Sequence, residues 1–202
     1  MNNAIKVWGM IVWCAGSICG AEVKSEVPDR LRLPEVIADN MVLQRGQRVP
    51  IWGWAKPGEA VRVEFGGQKV STRAKVDGGW QVKLKALQAS ATPAQLVVTA
   101  VDSITLTNIL VGEVWLASGQ SNMEKPLGLQ PGQKPCENVE AELAAAHYPQ
   151  IRLFKVEKGA MSKTPLPGLR KFRSWQECSS NALEGGSFSA VGYFFAREIH
   201  TN

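Results

Sequence analysis

Apolar and polar residues alternate through much of the first half of the chain, and this pattern predicts short β-strands. Val61, Val63 and Phe65 would lie on one face of such a strand. Comparable runs, separated by turn signals such as Gly66–Gly67 and Gly78–Gly79, are Gln68–Val76, Trp80–Leu84, Leu96–Val101 and Ile104–Ile109. Strands at such short intervals, with almost no helical periodicity between them, predict a β-sandwich of the immunoglobulin or jelly-roll type over residues 30–108.

Two tryptophans, Trp52 and Trp54, flank Gly53 in one of the predicted strands. Exposed aromatic rings can stack on sugars, so carbohydrate binding is one interpretation of this pair. Aromatic residues at every second position are more often part of sheet packing. We therefore expect both side chains to pack in the core.

The pattern changes after Asn108, where residues 109–117 form a nearly continuous apolar run. Such a run predicts a strand that is buried on both faces, as in a parallel sheet. The five residues that follow, 118–122, are small or polar and suit a tight turn. Reactive groups in open α/β sheets lie at the carboxyl ends of strands, and Ser121 would occupy such a position.

Helical and extended segments alternate in the remainder of the chain. Helix formers at 137–146 precede a strand at 151–156 and a Pro/Gly-containing loop at 158–168. A final helix, which Ser187 could cap, has an apolar stripe made of Phe188, Val191, Phe195 and Ile199. This order predicts the opening of an α/β domain over residues 109–202. Because it has few strands, we expect this domain to be truncated and the chain to be a fragment of a longer product.

The N-terminus has the pattern of a secretory signal peptide over residues 1–21. Lys6 precedes an apolar run from Val7 to Cys19, and Ala21 suits a cleavage site. The run is shorter than the roughly 20 apolar residues that span a bilayer. We therefore expect export to the periplasm or the extracellular space, with no membrane span after cleavage.

The composition is that of a globular protein and excludes several functional classes. Hydrophobic residues make up 45% of the chain and charged residues 20%, which is enough apolar material for a core. The net charge of +5 is spread along the chain without a basic cluster, so we expect no nucleic-acid partner. No dinucleotide fingerprint, phosphate-binding loop or metal-ligand spacing is present, so we expect no cofactor and no metal. Pairing of Cys136 with Cys178 stays open, as does the oligomeric state.

Ser121 is the residue of its turn that is best suited to a catalytic role. A serine hydroxyl becomes a useful nucleophile when a base lies within hydrogen-bond reach and donors face the developing oxyanion. The backbone N–H of Ser121 could be one such donor. Gly119 would admit a ligand close to the backbone, while Gln120 and Asn122 offer amides that orient the turn or the substrate. Judged by chemistry alone, a structural serine is the commoner case, and Met123 replaces the second glycine of a Gly-x-Ser-x-Gly elbow.

The residues around Ser121 resemble the signature block of bacterial sialate O-acetylesterases, a branch of the SGNH or GDSL-like hydrolases. Other segments resemble the same family in the same order. The matching segments are 33–45 (LPEVIADNMVLQR), 49–55 (VPIWGWA), 111–124 (VGEVWLASGQSNME), 148–154 (YPQIRLF) and 188–195 (FSAVGYFF).

The resemblance implies a β-sandwich joined to an SGNH-type three-layer α/β/α hydrolase domain. Ser121 would be the nucleophile that attacks an acetyl ester on a carbohydrate. O-acetylated sialic acid is the implied substrate, and acetylated xylan or another polysaccharide is the close alternative. A non-catalytic secreted glycan-binding protein is the alternative from a different functional class.

The resemblance also implies that the catalytic His and its acid lie beyond residue 202. His147 and His200 fall at predicted helix ends, where the helix dipole is a sufficient explanation, so we expect neither to be the base. Glu113 and Glu124 flank the turn, and we expect solvated or salt-bridged structural roles for them. This chain alone should therefore lack normal esterase activity.

Overall fold

The structure of the chain, a computed structural model, describes residues 28–129, 131–157, 168–169, 171–184 and 188–202. Three sequence predictions lie outside the described residues. They are the signal peptide at 1–21, the helix cap at Ser187 and most of the loop at 158–168.

The described residues form nine β-strands and four α-helices. The strands are β1 (Val42–Gln44), β2 (Val49–Trp54), β3 (Ala60–Phe65), β4 (Gln68–Arg73), β5 (Gly79–Leu84), β6 (Ser90–Thr99), β7 (Ser103–Gly112), β8 (His147–Val156) and β9 (Phe172–Ser179). The helices are α1 (Ser121–Glu124), α2 (Val139–Ala145), α3 (Ser180–Leu183) and α4 (Ala190–Thr201).

The first seven strands form two sheets around one apolar core, and we call residues 28–112 the N-terminal β region. One sheet has the order β1-β7-β6-β3-β4, in which β1 and β7 run parallel, while β2 and β5 form an antiparallel pair. The predicted alternation is confirmed in β3, where Val61, Val63 and Phe65 are buried. Both sheets contribute to the core, which also contains Ile51, Trp80, Val82, Leu84, Leu96, Val98 and Ile109.

The prediction that Trp52 packs in the core is wrong. Strand β2 places Ile51 and Gly53 inward, so Trp52 points outward and is 36% exposed. Trp54 is half-buried, and the guanidinium of Arg32 lies 5.7 Å from the centre of its ring. The alternation was predicted correctly, but the small residue between the two indoles occupies the inner face. A Cβ atom on Gly53 would lie 2.3 Å from the carbonyl oxygen of Arg32, which leaves no room for a side chain there.

The prediction of one buried strand over residues 109–117 is wrong from Glu113 onward. Strand β7 continues to Gly112 and pairs with β6 and β1, so it crosses the predicted boundary at 108/109. The apolar residues 109–111 are buried in the N-terminal β region. Beyond them the chain leaves the sheet, and Trp115 and Leu116 are 60% and 87% exposed. The continuous apolar run therefore combines the end of one strand with a segment that lacks regular secondary structure.

A second apolar cluster organises residues 113–202, which we call the C-terminal region. It includes the buried side chains of Leu127, Ile151, Cys178, Leu183 and Tyr193. The predicted helix at 137–146 and strand at 151–156 correspond to α2 and β8. Strand β9 was not predicted, and it pairs with β8 in an antiparallel rather than a parallel sheet.

Helix α4 buries a different face from the one predicted. Its inner face contains Ala190, Gly192 and Tyr193, whereas the predicted stripe residues Val191, Phe195 and Ile199 are 44–47% exposed. Helical periodicity identified the helix correctly, but the helix carries apolar residues on more than one face.

Within the described residues, no helix has the length and apolar character that crossing a membrane would require.

Arg152, on β8, connects the C-terminal region to the N-terminal β region. Its side chain is only 3% exposed and donates hydrogen bonds to the carbonyl oxygens of Asn40 and Asn108, each at 3.3 Å. It also donates to the carbonyl of Pro149 at 2.7 Å and forms an ion pair with Glu177 at 3.4 Å. Burial lowers the pKa of Arg152, and Glu177 opposes that shift. One buried guanidinium thus bonds to carbonyl oxygens of both regions.

Both described cysteines, Cys136 and Cys178, are free thiols. Burial raises the pKa of the Cys178 thiol to about 11, whereas Cys136 is half-buried. Because the thiolate is the reactive form, we expect Cys178 in the folded chain to react with iodoacetamide at pH 8 at least about tenfold more slowly than Cys136. Mass spectrometry of timed digests measures both rates, and equal rates would contradict the buried position of Cys178.

Replacing Arg152 should weaken the junction between the two regions. We expect Arg152→Met to lower the free energy of unfolding by about 2–4 kcal/mol, because several charge-assisted hydrogen bonds of a buried guanidinium are lost together. The matched control is Arg173→Met in the same sheet, since Arg173 is exposed and pairs with Glu157, and its loss should cost less than about 1 kcal/mol. Denaturant unfolding measures both, and an unchanged midpoint for Arg152→Met would show that the junction does not depend on it.

Candidate functional site

Ser121 begins the one-turn helix α1 and is exposed, as are its neighbours Gln120 and Asn122. The prediction that the turn directly follows a strand is wrong, because residues 113–120 have no regular secondary structure. Within the described residues, neither the hydroxyl nor the backbone N–H of Ser121 has a hydrogen-bond partner. The first N–H groups of a helix lack partners inside the helix, so both groups are free to face a ligand.

The chain immediately after Ser121 is attached to the start of α4. The N–H of Ala190 donates to the carbonyl of Lys125 at 2.9 Å, and the N–H of Leu127 donates to the carbonyl of Phe188 at 3.3 Å. Pro126 forms a β-bridge with Ser189 between these two bonds. These main-chain contacts form a downstream anchor for the serine turn.

Met123 adds a side-chain contact to the downstream anchor. The hydroxyl of Ser189 donates to its sulfur at 3.5 Å. On the other side of Met123, a Cβ atom added to Gly119 would lie 3.1 Å from the Met123 Cβ. The absence of a side chain at Gly119 therefore leaves room for the Met123 side chain. Sequence analysis did not predict this contact and instead expected Gly119 to admit a ligand.

The chain before Ser121 is attached to the N-terminal β region. Gln44 donates to the Glu113 carboxylate at 2.8 Å and accepts from the Val114 N–H at 2.8 Å. Arg45 forms an ion pair with the same carboxylate at 2.5 Å, so the expected salt-bridged role of Glu113 is confirmed. The hydrogen bond from Gln44, and then the bond from Arg45, lower the pKa of Glu113. This upstream anchor fixes the point at which the chain leaves β7.

The two histidines lie on β8 and α4, and His200 lines a groove that Glu113 and Trp115 also line. His147 begins β8 opposite Ser179, and His200 lies in the last turn of α4 with its ring centre 6.1 Å from that of Tyr148. Within the described residues, neither imidazole is hydrogen-bonded to Ser121 or paired with a carboxylate. Neither has the partners that a catalytic base in a triad needs. Across the part of the chain that the structure describes, no group of three His, Cys, Asp or Glu side chains is placed to hold a metal ion.

A groove of about 530 Å³ lies beside the segment that leads to the serine. Trp115, Phe195 and Ile199 line it, and the ring centres of Trp115 and Phe195 are 5.2 Å apart in an edge-to-face contact. The lining includes Ala117 but none of residues 119–122. The groove is therefore adjacent to the candidate site and does not contain it.

Sequence reasoning identified the serine turn but missed the residues that hold it. Gln44, Arg45 and Ser189 lie in segments that resemble the esterase family, and this is the signal that could have drawn attention to them. Their contacts join positions that are 66–70 residues apart, so local patterns do not reveal them.

Comparison with known proteins relates the chain to carbohydrate esterases. No model of a protein family matches it. The chain is 29% identical to mouse sialate O-acetylesterase over 84% of its length and 33% of the mouse protein. It is 28% identical to the human sialate O-acetylesterase over 84% of its length and 34% of that protein. The chain thus spans about a third of the length of these curated relatives.

A solved structure also relates the chain to carbohydrate esterases. The crystal structure of a carbohydrate acetylesterase from Xanthomonas citri matches with a TM-score of 0.76 and 37% sequence identity. The match covers 85% of this chain and 37% of that one. Over the part that it spans, the chain is therefore sialate O-acetylesterase-like in sequence and resembles a carbohydrate acetylesterase in fold.

Proposed function

We propose that the chain is the N-terminal part of an exported serine esterase that removes O-acetyl groups from sialic acid or a related sugar. The observation that carries the proposal is the exposed Ser121 at the start of α1, in a turn that is anchored on both sides. Its hydroxyl and its N–H have no hydrogen-bond partner among the described residues. A nucleophile needs both accessibility and a defined position, and this turn combines them. The esterase relatives supply the reaction class.

In the proposed reaction, the Ser121 hydroxyl attacks the carbonyl carbon of the acetyl ester while a base accepts its proton. The ester C–O bond then breaks, and the sugar oxygen leaves as a hydroxyl after receiving that proton. Water next attacks the acetyl-serine, which releases acetate and restores Ser121. The backbone N–H of Ser121 would stabilise the oxyanion, and Gln120 and Asn122 would orient the substrate.

The base and its acid are assigned to segments outside this chain. The curated relatives are about three times as long, and neither His147 nor His200 has the contacts that the role requires. We further propose that the N-terminal β region is a β-sandwich module and that the C-terminal region opens an SGNH-type α/β/α domain. The two separate apolar clusters support this division.

A broader substrate range has its own supporting observation. The matching Xanthomonas protein is a carbohydrate acetylesterase, a class that is broader than sialate esterases. Acetylated xylan or another acetylated polysaccharide is therefore the second candidate substrate. The attack by Ser121 is the same in both cases, and the sugar would be selected by residues outside the serine turn.

The proposal is tested on the longest product of the gene by measuring acetate release from O-acetylated sialic acid and from acetylated xylan. We expect Ser121→Ala to lower kcat on the order of 10⁴-fold or more, because no other group replaces the nucleophile. Ser118→Ala is the matched control, since Ser118 is an exposed serine on the same segment, and its rate should stay within about threefold of the unchanged protein.

The two substrates separate the two candidates, and the variant tests the mechanism. Faster release from sialic acid supports the first candidate, whereas faster release from xylan supports the second. Equal rates for Ser121→Ala and the unchanged protein would refute the assignment of Ser121. A folded product that releases no acetate but binds glycans would favour the binding module instead.

A further inference from the structure

Met123 lies between the serine turn and helix α4. It is two residues beyond Ser121, and its side chain is half-buried. One side of it contacts Gly119, close enough that a Cβ there would lie 3.1 Å from the Met123 Cβ. Its sulfur accepts a hydrogen bond of 3.5 Å from the hydroxyl of Ser189. A single side chain therefore contacts the turn and the start of α4.

Ser189 is a firm point of attachment. It is the N-cap of α4, and its hydroxyl oxygen accepts from the Gly192 N–H at 3.1 Å. Helix α4 is twelve residues long, and it is packed through Ala190 and the fully buried Tyr193. The same hydroxyl thus serves as the helix cap and as the donor to Met123, so its orientation is fixed from two directions.

Helix α1 is too short to be stable without contacts to the rest of the protein. It is four residues long, and the bonds that define it run from the Glu124 N–H to the Gln120 carbonyl and from the Lys125 N–H to the Ser121 carbonyl. One isolated helical turn is unstable in water, because its ordering costs more than a few hydrogen bonds return. The direction of the Ser121 hydroxyl therefore depends on tertiary contacts of this turn, and no residue of α1 is itself buried.

We infer that Met123 is a positioning residue for Ser121, because its side chain connects Gly119 and the serine turn to Ser189 at the start of α4. This inference rests on the proposed function of Ser121. It also accounts for the place of Met123 where a Gly-x-Ser-x-Gly elbow has glycine. Such an elbow needs a residue without a side chain there, whereas this turn uses a side chain to reach its support.

Shortening Met123 should impair the chemical step more than substrate binding. In the longest gene product, we expect Met123→Ala to lower kcat for acetate release by about 10- to 100-fold, since a displacement near 1 Å costs about that much. KM should change less than about twofold, because the residues proposed to select the sugar lie outside the serine turn. A kcat within twofold of the unchanged protein would overturn the inference.

Two further variants separate positioning from general stability. Met123→Leu keeps most of the volume against Gly119, and we expect it to retain at least about a third of kcat. A loss as large as that of Met123→Ala would contradict positioning by packing. The control is Leu129→Ala, which shortens a 59% exposed side chain six residues after Met123. This variant should leave kcat unchanged.

Hydrogen exchange tests the same inference without relying on activity. In the unchanged product, the N–H groups of Glu124 and Lys125 are bonded within α1. We expect them to exchange at least fivefold faster in Met123→Ala and at the original rate in Leu129→Ala. Unchanged exchange would overturn the inference even if Ser121 proves to be the nucleophile. If exchange accelerates while Ser121→Ala has normal activity, Met123 still holds the turn, and the proposed function is the part that fails.

Discussion

The buried guanidinium of Arg152 is the interaction on which the arrangement of the two regions depends. It donates to the carbonyls of Asn40 and Asn108, and both of these residues have positive φ angles, of 65° and 57°. A buried charge with its donors satisfied tolerates little displacement, because a lost acceptor is not replaced by water. The indole of Trp175 adds a second connection by donating to the Val36 carbonyl at 2.8 Å.

This junction matters to the serine turn because the turn is attached to both regions. The upstream anchor, at Gln44 and Glu113, belongs to the N-terminal β region. The downstream anchor, at Ser189 and Ala190, belongs to the helix that packs in the C-terminal cluster with β8. A shift of one region against the other would move the two ends of residues 113–125 in different directions. The position of Ser121 is therefore a property of the whole described structure rather than of its own short helix.

Sequence patterns predicted the elements whose neighbours are close in the chain. Strand β3 was recognised because Val61, Val63 and Phe65 alternate with polar residues, and sheet geometry converts that period directly into burial. The prediction for residues 109–117 was wrong because two situations give the same apolar run. One is a strand that is buried on both faces, and the other is a buried strand end followed by an exposed apolar segment. In α4, Phe195 and Ile199 marked a helical period but not the buried face, since Tyr193 on another face packs in the cluster.

The candidate site divides in the same way. Ser121 could be identified because its local sequence resembles a known block of residues. The supports of the turn could not, because Gln44 reaches Glu113 across 69 residues and Ser189 reaches Met123 across 66. Such contacts depend on how β1, β7 and α4 are brought together, and the chemical identity of each residue alone does not specify them.

The most direct test of the central claim is to identify the nucleophile by covalent capture. The longest gene product would be treated with a fluorophosphonate that reacts with activated serines, and the modified residue would be mapped by peptide mass spectrometry. The account predicts one adduct, on the peptide that contains Ser121, and its loss in Ser121→Ala. An adduct on a different serine in a product that releases acetate would contradict it.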